Sequence, residues 1–242
     1  IMGKKCRLSH EDMSVLDIPI VEKATAASVE KALHEVAEKT GAPIQIVSDK
    51  GSNIMKGVAD FIGMNSATRH TYDATHKAAI LMKHHLKNDS RWKALTKKMW
   101  MAKRDILFTP LGFMVPPKPK DKARWLNLDI YLSWLGKALD FRKRKADAGG
   151  AKLFDEKLGW IGEFASSLAE WRSMLDMLDL MKGEIKKNGF RKDTALRFEK
   201  LSSGIVLSTR RLRTLKKEIM DYIKVEIAGI GDNQILLGSS DI

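Results

Sequence analysis

The chain has 242 residues, a mass of 27.2 kDa and 44% hydrophobic content, enough for one large or two small domains with a substantial core, and too apolar for a disordered polymer. The single cysteine, Cys6, excludes an internal disulfide framework. With no charged-then-apolar leader and no run of eighteen uncharged apolar residues, the expectation is a cytoplasmic protein that does not enter a membrane. Lys and Arg number 43 against 30 Asp and Glu, and the net charge of +13 favours a polyanionic partner.

The first eighty residues alternate strand and helix signals. Met13 to Val21 is rich in Val, Ile and Leu and contains Pro19, which predicts a strand exposed or bent near its end. A helix follows, with its start marked by Thr25 and Ser28, an apolar stripe of Val29, Leu33 and Val36, and Gly41 just past its end. Ile44 to Val47 is short and β-branched, as expected of a buried strand, and stops at Ser48-Asp49-Lys50-Gly51-Ser52-Asn53. Ile54, Val58 and Phe61 predict the next helix, and Thr68 to Tyr72 a further strand. From Thr75 onward the signals are helical: Lys77 to Leu86, Trp92 to Ile106, Leu126 to Phe141, Phe154 to Ile185 and Leu196 to Ile227. Pro110 through Pro119 and Ala148-Gly149-Gly150 interrupt the series.

The charge excess is confined to one stretch. Residues 77–145 hold 18 of the 43 basic residues but only 5 of the 30 acidic ones, and the rest of the chain is balanced. A charge run is often only a solvated face, yet confinement of the whole excess to one segment marks a candidate polyanion surface.

Asp49 stands out among residues able to carry chemistry. A carboxylate just past the carboxyl end of a buried strand sits where open α/β sheets present ligand and metal groups, although Asp before Gly also makes an ordinary turn. Ser52 or Asn53 is a candidate cap for the helix that follows. In Thr71-Tyr72-Asp73-Ala74-Thr75-His76-Lys77, Thr75 reads as a helix cap, His76 as a structural residue or a metal or phosphate ligand, and Asp73 as a carboxylate near a second strand end. His84 and His85, beside Lys83 and Lys87, read as basic helix surface because no second Cys/His group lies at metal-binding spacing. Trp160, Phe164, Leu168, Trp171, Leu175 and Leu178 recur at helical spacing and predict core, and packing is also favoured for Trp92, Trp100, Trp125 and Trp134. No Walker loop, Rossmann fingerprint, G-x-S-x-G elbow or H-E-x-x-H pair is present.

Pro43-Ile44-Gln45-Ile46-Val47-Ser48-Asp49-Lys50-Gly51-Ser52, followed by Tyr72-Asp73-Ala74-Thr75-His76-Lys77-Ala78-Ala79, resembles the middle of a bacterial DDE-type transposase. The closing Leu236 to Ile242 is similar to the run before an E-S-x-F-G-K-like segment in that family, so the resemblance spans most of the chain. It implies an α/β plus all-α architecture: a partial RNase H-like core over 1–76, a basic, mostly helical insertion domain over 77–235, and the start of a return to the core over 236–242. The family's acidic triad holds two Mg²⁺ (or Mn²⁺) ions, and Asp49 matches its second position as catalytic residue and metal ligand. The first Asp is expected ahead of Ile1 and the Glu after Ile242, so the chain reads as a fragment truncated at both ends, with two ions only in the complete protein.

The resemblance further implies Mg²⁺-dependent DNA strand cleavage and transfer, with transposon ends and target DNA as partners, and assembly into a homo-oligomer. Candidate DNA contacts are His76, Lys77, Lys97, Lys98, Lys103, Arg104, Lys118, Lys120, Lys122, Arg124, Arg142, Lys143, Arg144 and Lys145. Another RNase H-like nuclease, or a noncatalytic basic helical protein that binds nucleic acid, are the alternative readings.

Overall fold

A computed structural model describes residues 11, 14–20, 22–118, 125, 128–144 and 150–238. The fold is mainly α-helical with one small parallel sheet, and it divides into two compact units. Described residues up to Lys77, Leu180–Ser203 and those from Ile219 onward form the first; Ala78–Asp179 and Gly204–Glu218 form the second.

In the first unit, helix α1 (Ala26–Thr40) begins at a reciprocal cap: the Ser28 amide donates to Thr25 Oγ1 at 3.2 Å, and the Thr25 amide donates to Ser28 Oγ at 2.9 Å. It ends at Gly41, whose φ of +83° lies in the left-handed region that a side chain disfavours. Strand β1 (Gln45–Ser48) pairs in parallel with β2 (Arg69–Tyr72), in register from Gln45 opposite Arg69 to Ser48 opposite Tyr72. Parallel neighbours need a crossover, and helix α2 (Ser52–Met64) supplies it. Its cap is Gly51, with no side-chain bond; neither Ser52 nor Asn53 fills that role, and Asn53 instead donates to the Ala24 carbonyl at 2.8 Å.

Helices α1 and α2 meet at Gly57, where a Cβ would stand 2.5 Å from the Ala26 carbonyl oxygen and 2.8 Å from Val29 Cβ. Backbone cannot yield as a flexible side chain does. Gly57→Ala is therefore expected to lower stability by about 1–3 kcal/mol despite its better helix propensity, as read by chemical denaturation.

The expectation of a strand over Met13 to Val21 is not met in its described part: residues 14–20 have no strand structure, and Val15, Ile18 and Ile20 are exposed. β-branched composition makes a strand only where a partner edge takes up the backbone groups, and Pro19 removes one donor. The segment instead borders an apolar cavity of about 660 Å³ lined also by Val29, Leu33, Ile46, Ile54 and Val58.

The later part of the first unit contains α8 (Thr194–Leu201) and the portion of α9 (Arg210–Ile227) from Ile219 onward. Phe190 and Leu236 exchange two backbone hydrogen bonds, of 2.7 and 3.0 Å. Gln45 then clamps Leu237 on both sides, accepting from its amide at 2.9 Å and donating to its carbonyl at 2.6 Å. The Ala74 amide donates to the Gly238 carbonyl at 2.7 Å. Residues 180–203 and 219–235, expected within one helical domain, thus group with the sheet.

In the second unit, α4 (Ser90–Ile106) starts at Asp89, whose carboxylate accepts from the Trp92 amide at 2.8 Å. It buries Trp92, Leu95, Met99, Ala102 and Ile106 at the spacing of one helix face. Helix α5 (Leu128–Arg144) adds Leu132 and Leu135, and Trp171 meets Trp92 edge-on at 5.2 Å. Arg211 ties Asp89 and Glu170 together at 2.5 and 3.2 Å.

Two long helices of the sequence reading are each divided. Phe154 to Ile185 becomes α6 (Gly150–Leu158), a tighter helical stretch over Gly159–Phe164, and α7 (Ala165–Asn188). Gly159 and Gly162 lie in that stretch, and glycine weakens the α-helix most among non-proline residues. Leu196 to Ile227 is likewise divided between α8 and α9, with Ser202-Ser203-Gly204 following α8. Helix α3 (Ala74–Leu86) follows β2 directly. Among the described residues, no helix is long and apolar enough to cross a membrane.

Candidate functional site

Asp49 is the first residue beyond β1, and β1 and β2 run in parallel, so Asp49 and Asp73 leave the same end of the sheet. Asp49 Oδ2 lies 3.8 Å from His76 Nε2, and its Oδ1 is buried without a hydrogen-bond partner among the described residues. A buried carboxylate oxygen left unpaired is costly, so most such atoms find a donor or a cation. Ser48, one residue earlier, bonds His70 Nε2 at 2.8 Å. Burial, followed by the charge of Lys50, pushes the His70 imidazole below its ordinary value.

Asp73 has a structural task. Its Oδ1 accepts from the His76 amide at 2.9 Å and starts α3, so Asp73 rather than Thr75 is the cap. Glu226, from α9, is buried with both oxygens engaged: Oε1 lies 3.1 Å from Lys50 Nζ, and Oε2 accepts from the Tyr72 amide at 3.0 Å. Tyr222, one helical turn before it, donates its hydroxyl to the Tyr72 carbonyl at 2.7 Å. Lys50 also lies over the Tyr72 ring, and Lys77 over the Tyr222 ring, at 5.2 and 5.6 Å.

Burial first, then Asp49, Asp73 and Glu226, raises the Tyr72 phenol above its usual range; burial, Glu226 and Asp73 raise that of Tyr222 further. A hard divalent ion takes oxygen ligands, and Asp49 offers one uncommitted carboxylate oxygen. The Asp73 oxygen that caps α3 and both oxygens of Glu226 have protein donors already. The residues described therefore suit one ligand position of a Mg²⁺ centre and do not assemble a two-ion site.

Among the described residues, the one cluster of three metal-competent side chains is His84, His85 and Glu218, and it does not include Asp49. In sequence, His84 and His85 read as basic surface because no second Cys/His group lies at metal-binding spacing; their partner is a glutamate 133 positions beyond His85. The sequence reading also missed Glu226. The signal was present: Ile219, Tyr222, Ile223 and Glu226 lie on one helical face, and a carboxylate in an apolar stripe marks a buried, paired charge.

The basic candidates fall into three groups. His76 is half-exposed beside Asp49, and Lys77 lies against Tyr222 in the first unit. In the second unit, Lys97, Arg104, Lys118, Lys143 and Arg144 are exposed and Lys103 is partly so, whereas Lys98 pairs with Glu163 at 2.8 Å and Arg142 with Asp155 at 2.7 Å. Lys120, Lys122, Arg124 and Lys145 lie outside the described residues.

On α4, Lys93, Lys97, Trp100 and Arg104 recur at four, three and four, opposite the buried face. Trp100 is 57% exposed and carries the Arg104 guanidinium 4.8 Å from its ring, so it does not pack in the core as expected. Trp92 and Trp171 do. Comparison of the chain with family models, with curated proteins and with solved structures finds no match.

Proposed function

We propose that this chain is part of a DDE-type transposase, an enzyme of Mg²⁺-dependent DNA strand cleavage and transfer, acting in the cytoplasm on transposon ends and target DNA. The observation that carries the reading is Asp49: a carboxylate at the carboxyl end of a parallel strand pair, with one buried oxygen that no donor among the described residues satisfies. The strand–helix–strand order around it, β1, α2, β2, is compatible with a portion of an RNase H-like core.

In this reading Asp49 is the middle ligand of a two-ion centre whose other carboxylates lie outside residues 1–242. Such ions activate the attacking oxygen and stabilise the leaving oxygen of an in-line displacement at phosphorus. Within this chain, the reading gives Asp49 the task of holding metal, Asp73 that of fixing the start of α3 and hence His76 beside Asp49, and Glu226 that of anchoring Lys50 and the end of β2.

The exposed face of α4 supplies the DNA contacts. Lys and Arg on phosphates release counterions, and affinity then falls steeply with salt without specifying sequence. The purified chain is expected to bind duplex DNA in this manner and to show no Mg²⁺-dependent cleavage or joining on its own. Charge reversal of Lys97 and Arg104 together should lower the affinity and reduce the log–log salt slope by about 0.9 for each phosphate no longer neutralised, with the thermal midpoint unchanged. A flat salt profile removes the DNA-binding part of the proposal, and strand joining by the isolated chain removes the divided metal site.

Two other readings are separated by experiment. A strand-transfer product from the protein with its flanking sequence restored distinguishes a transposase from an RNase H-like nuclease that only cuts. The exposed Trp100–Arg104 pair also suits a noncatalytic nucleic-acid-binding protein, in which Asp49 is dispensable.

A further inference from the structure

We propose that His84, His85 and Glu218 form a binding site for a single transition-metal ion of the zinc type. All three belong to the second unit, two from the last turn of α3 and one from α9. Glu218 stands between the two rings, with Oε1 3.2 Å from His84 Nδ1 and Oε2 2.8 Å from His85 Nε2. The three potential ligand atoms all lie within 4.8 Å of one another.

Neighbouring residues on a helix point about 100° apart, so two adjacent histidines do not ordinarily converge on one point. Here the rings are tilted together with centroids 5.2 Å apart, and one offers Nδ1 while the other offers Nε2. A tetrahedral ion with bonds of about 2.0–2.1 Å places its ligand atoms roughly 3.3 Å from one another. The His85 side chain is 8% exposed and Glu218 26%, which makes a fixed floor, while His84 is 68% exposed and free to close the remaining distance. The same exposure leaves room for a water as fourth ligand.

The donor set decides the metal. Two imidazole nitrogens and one carboxylate suit Zn²⁺, Ni²⁺ or Cu²⁺ and disfavour Mg²⁺, which requires oxygen and sheds water reluctantly. A bound ion takes its ligands from the ring nitrogens that face Glu218 and joins α3 to α9. The site takes an ion of a different kind from the one assigned to Asp49 and does not rest on that assignment.

The test is titration of the chelator-treated chain with Zn²⁺ at neutral pH, followed by Co²⁺ substitution read by visible absorption. One equivalent of Zn²⁺ is expected, unaffected by excess Mg²⁺, with the absorption of tetrahedral Co²⁺. His84→Asn, at an exposed side chain that folding does not require, and Glu218→Gln should each weaken Zn²⁺ binding by at least about tenfold, the lower range seen for loss of groups that merely orient a ligand. Asp49→Asn should leave it unchanged. Absence of Zn²⁺ binding, or binding that both His84→Asn and Glu218→Gln leave within twofold, overturns the site and reduces the cluster to a carboxylate set between two imidazoles.

Discussion

Replacing Glu226 by Ala is expected to destabilise the first unit by about 3–5 kcal/mol, the range for removing one partner of a buried ion pair. Its side chain is 3% exposed and holds two groups at once, the Lys50 ammonium and the Tyr72 amide. Alanine leaves the amide unpaired within the protein and the ammonium beside an apolar void. Because Lys50 is 28% exposed and gains some water, the loss should fall toward the lower end of the range. Glu226→Gln keeps an acceptor for the Tyr72 amide and gives up the charge, so it should cost less than alanine. Urea denaturation of the two variants beside the wild type checks both the size and the order. Equal, small losses would mean that the Lys50–Glu226 pair does not hold the β1 and β2 ends together.

Asp49→Asn is expected to separate stability from activity. The substitution preserves shape, and Oδ1 has no donor to lose among the described residues. The thermal midpoint should therefore stay where it is or rise slightly. An amide is a much poorer ligand for a hard divalent ion than a carboxylate. In the protein with its flanking sequence, metal-dependent strand cleavage should fall by at least about a hundredfold, since groups that only orient a ligand already cost 10–100-fold when lost. A residue that gains or keeps stability when changed, yet carries the activity, behaves as a functional carboxylate and not as a turn former.

Local patterns carried much of this fold. The cap at Thr25 and Ser28, the apolar stripes of α1 and α2, and the β-branched run of β1 are encoded within a few residues of where they act. The 13–21 segment failed for a nonlocal reason: its composition suits a strand, but no described strand pairs with residues 14–20. The division of the later helices was written in glycines and serines that a stripe of apolar residues overrode. Side-chain placement followed the same rule. The position of Asp49 at a strand end was visible because a strand, a carboxylate and a glycine turn lie together in sequence. Glu226 and Glu218 were not, because their partners, Lys50 and Tyr72 in one case and His84 and His85 in the other, are supplied by long-range packing that periodicity does not report. Trp100 shows the converse limit: its spacing fits a helix, but spacing alone did not place it on the wet face.

The most direct measurement is cleavage of an end-bearing duplex in Mg²⁺ by the protein with its flanking sequence restored, compared between wild type and Asp49→Asn at matched thermal midpoints. The account predicts cleavage by the wild type and its loss in the variant. Equal cleavage by both would contradict the assignment of Asp49 as a metal ligand.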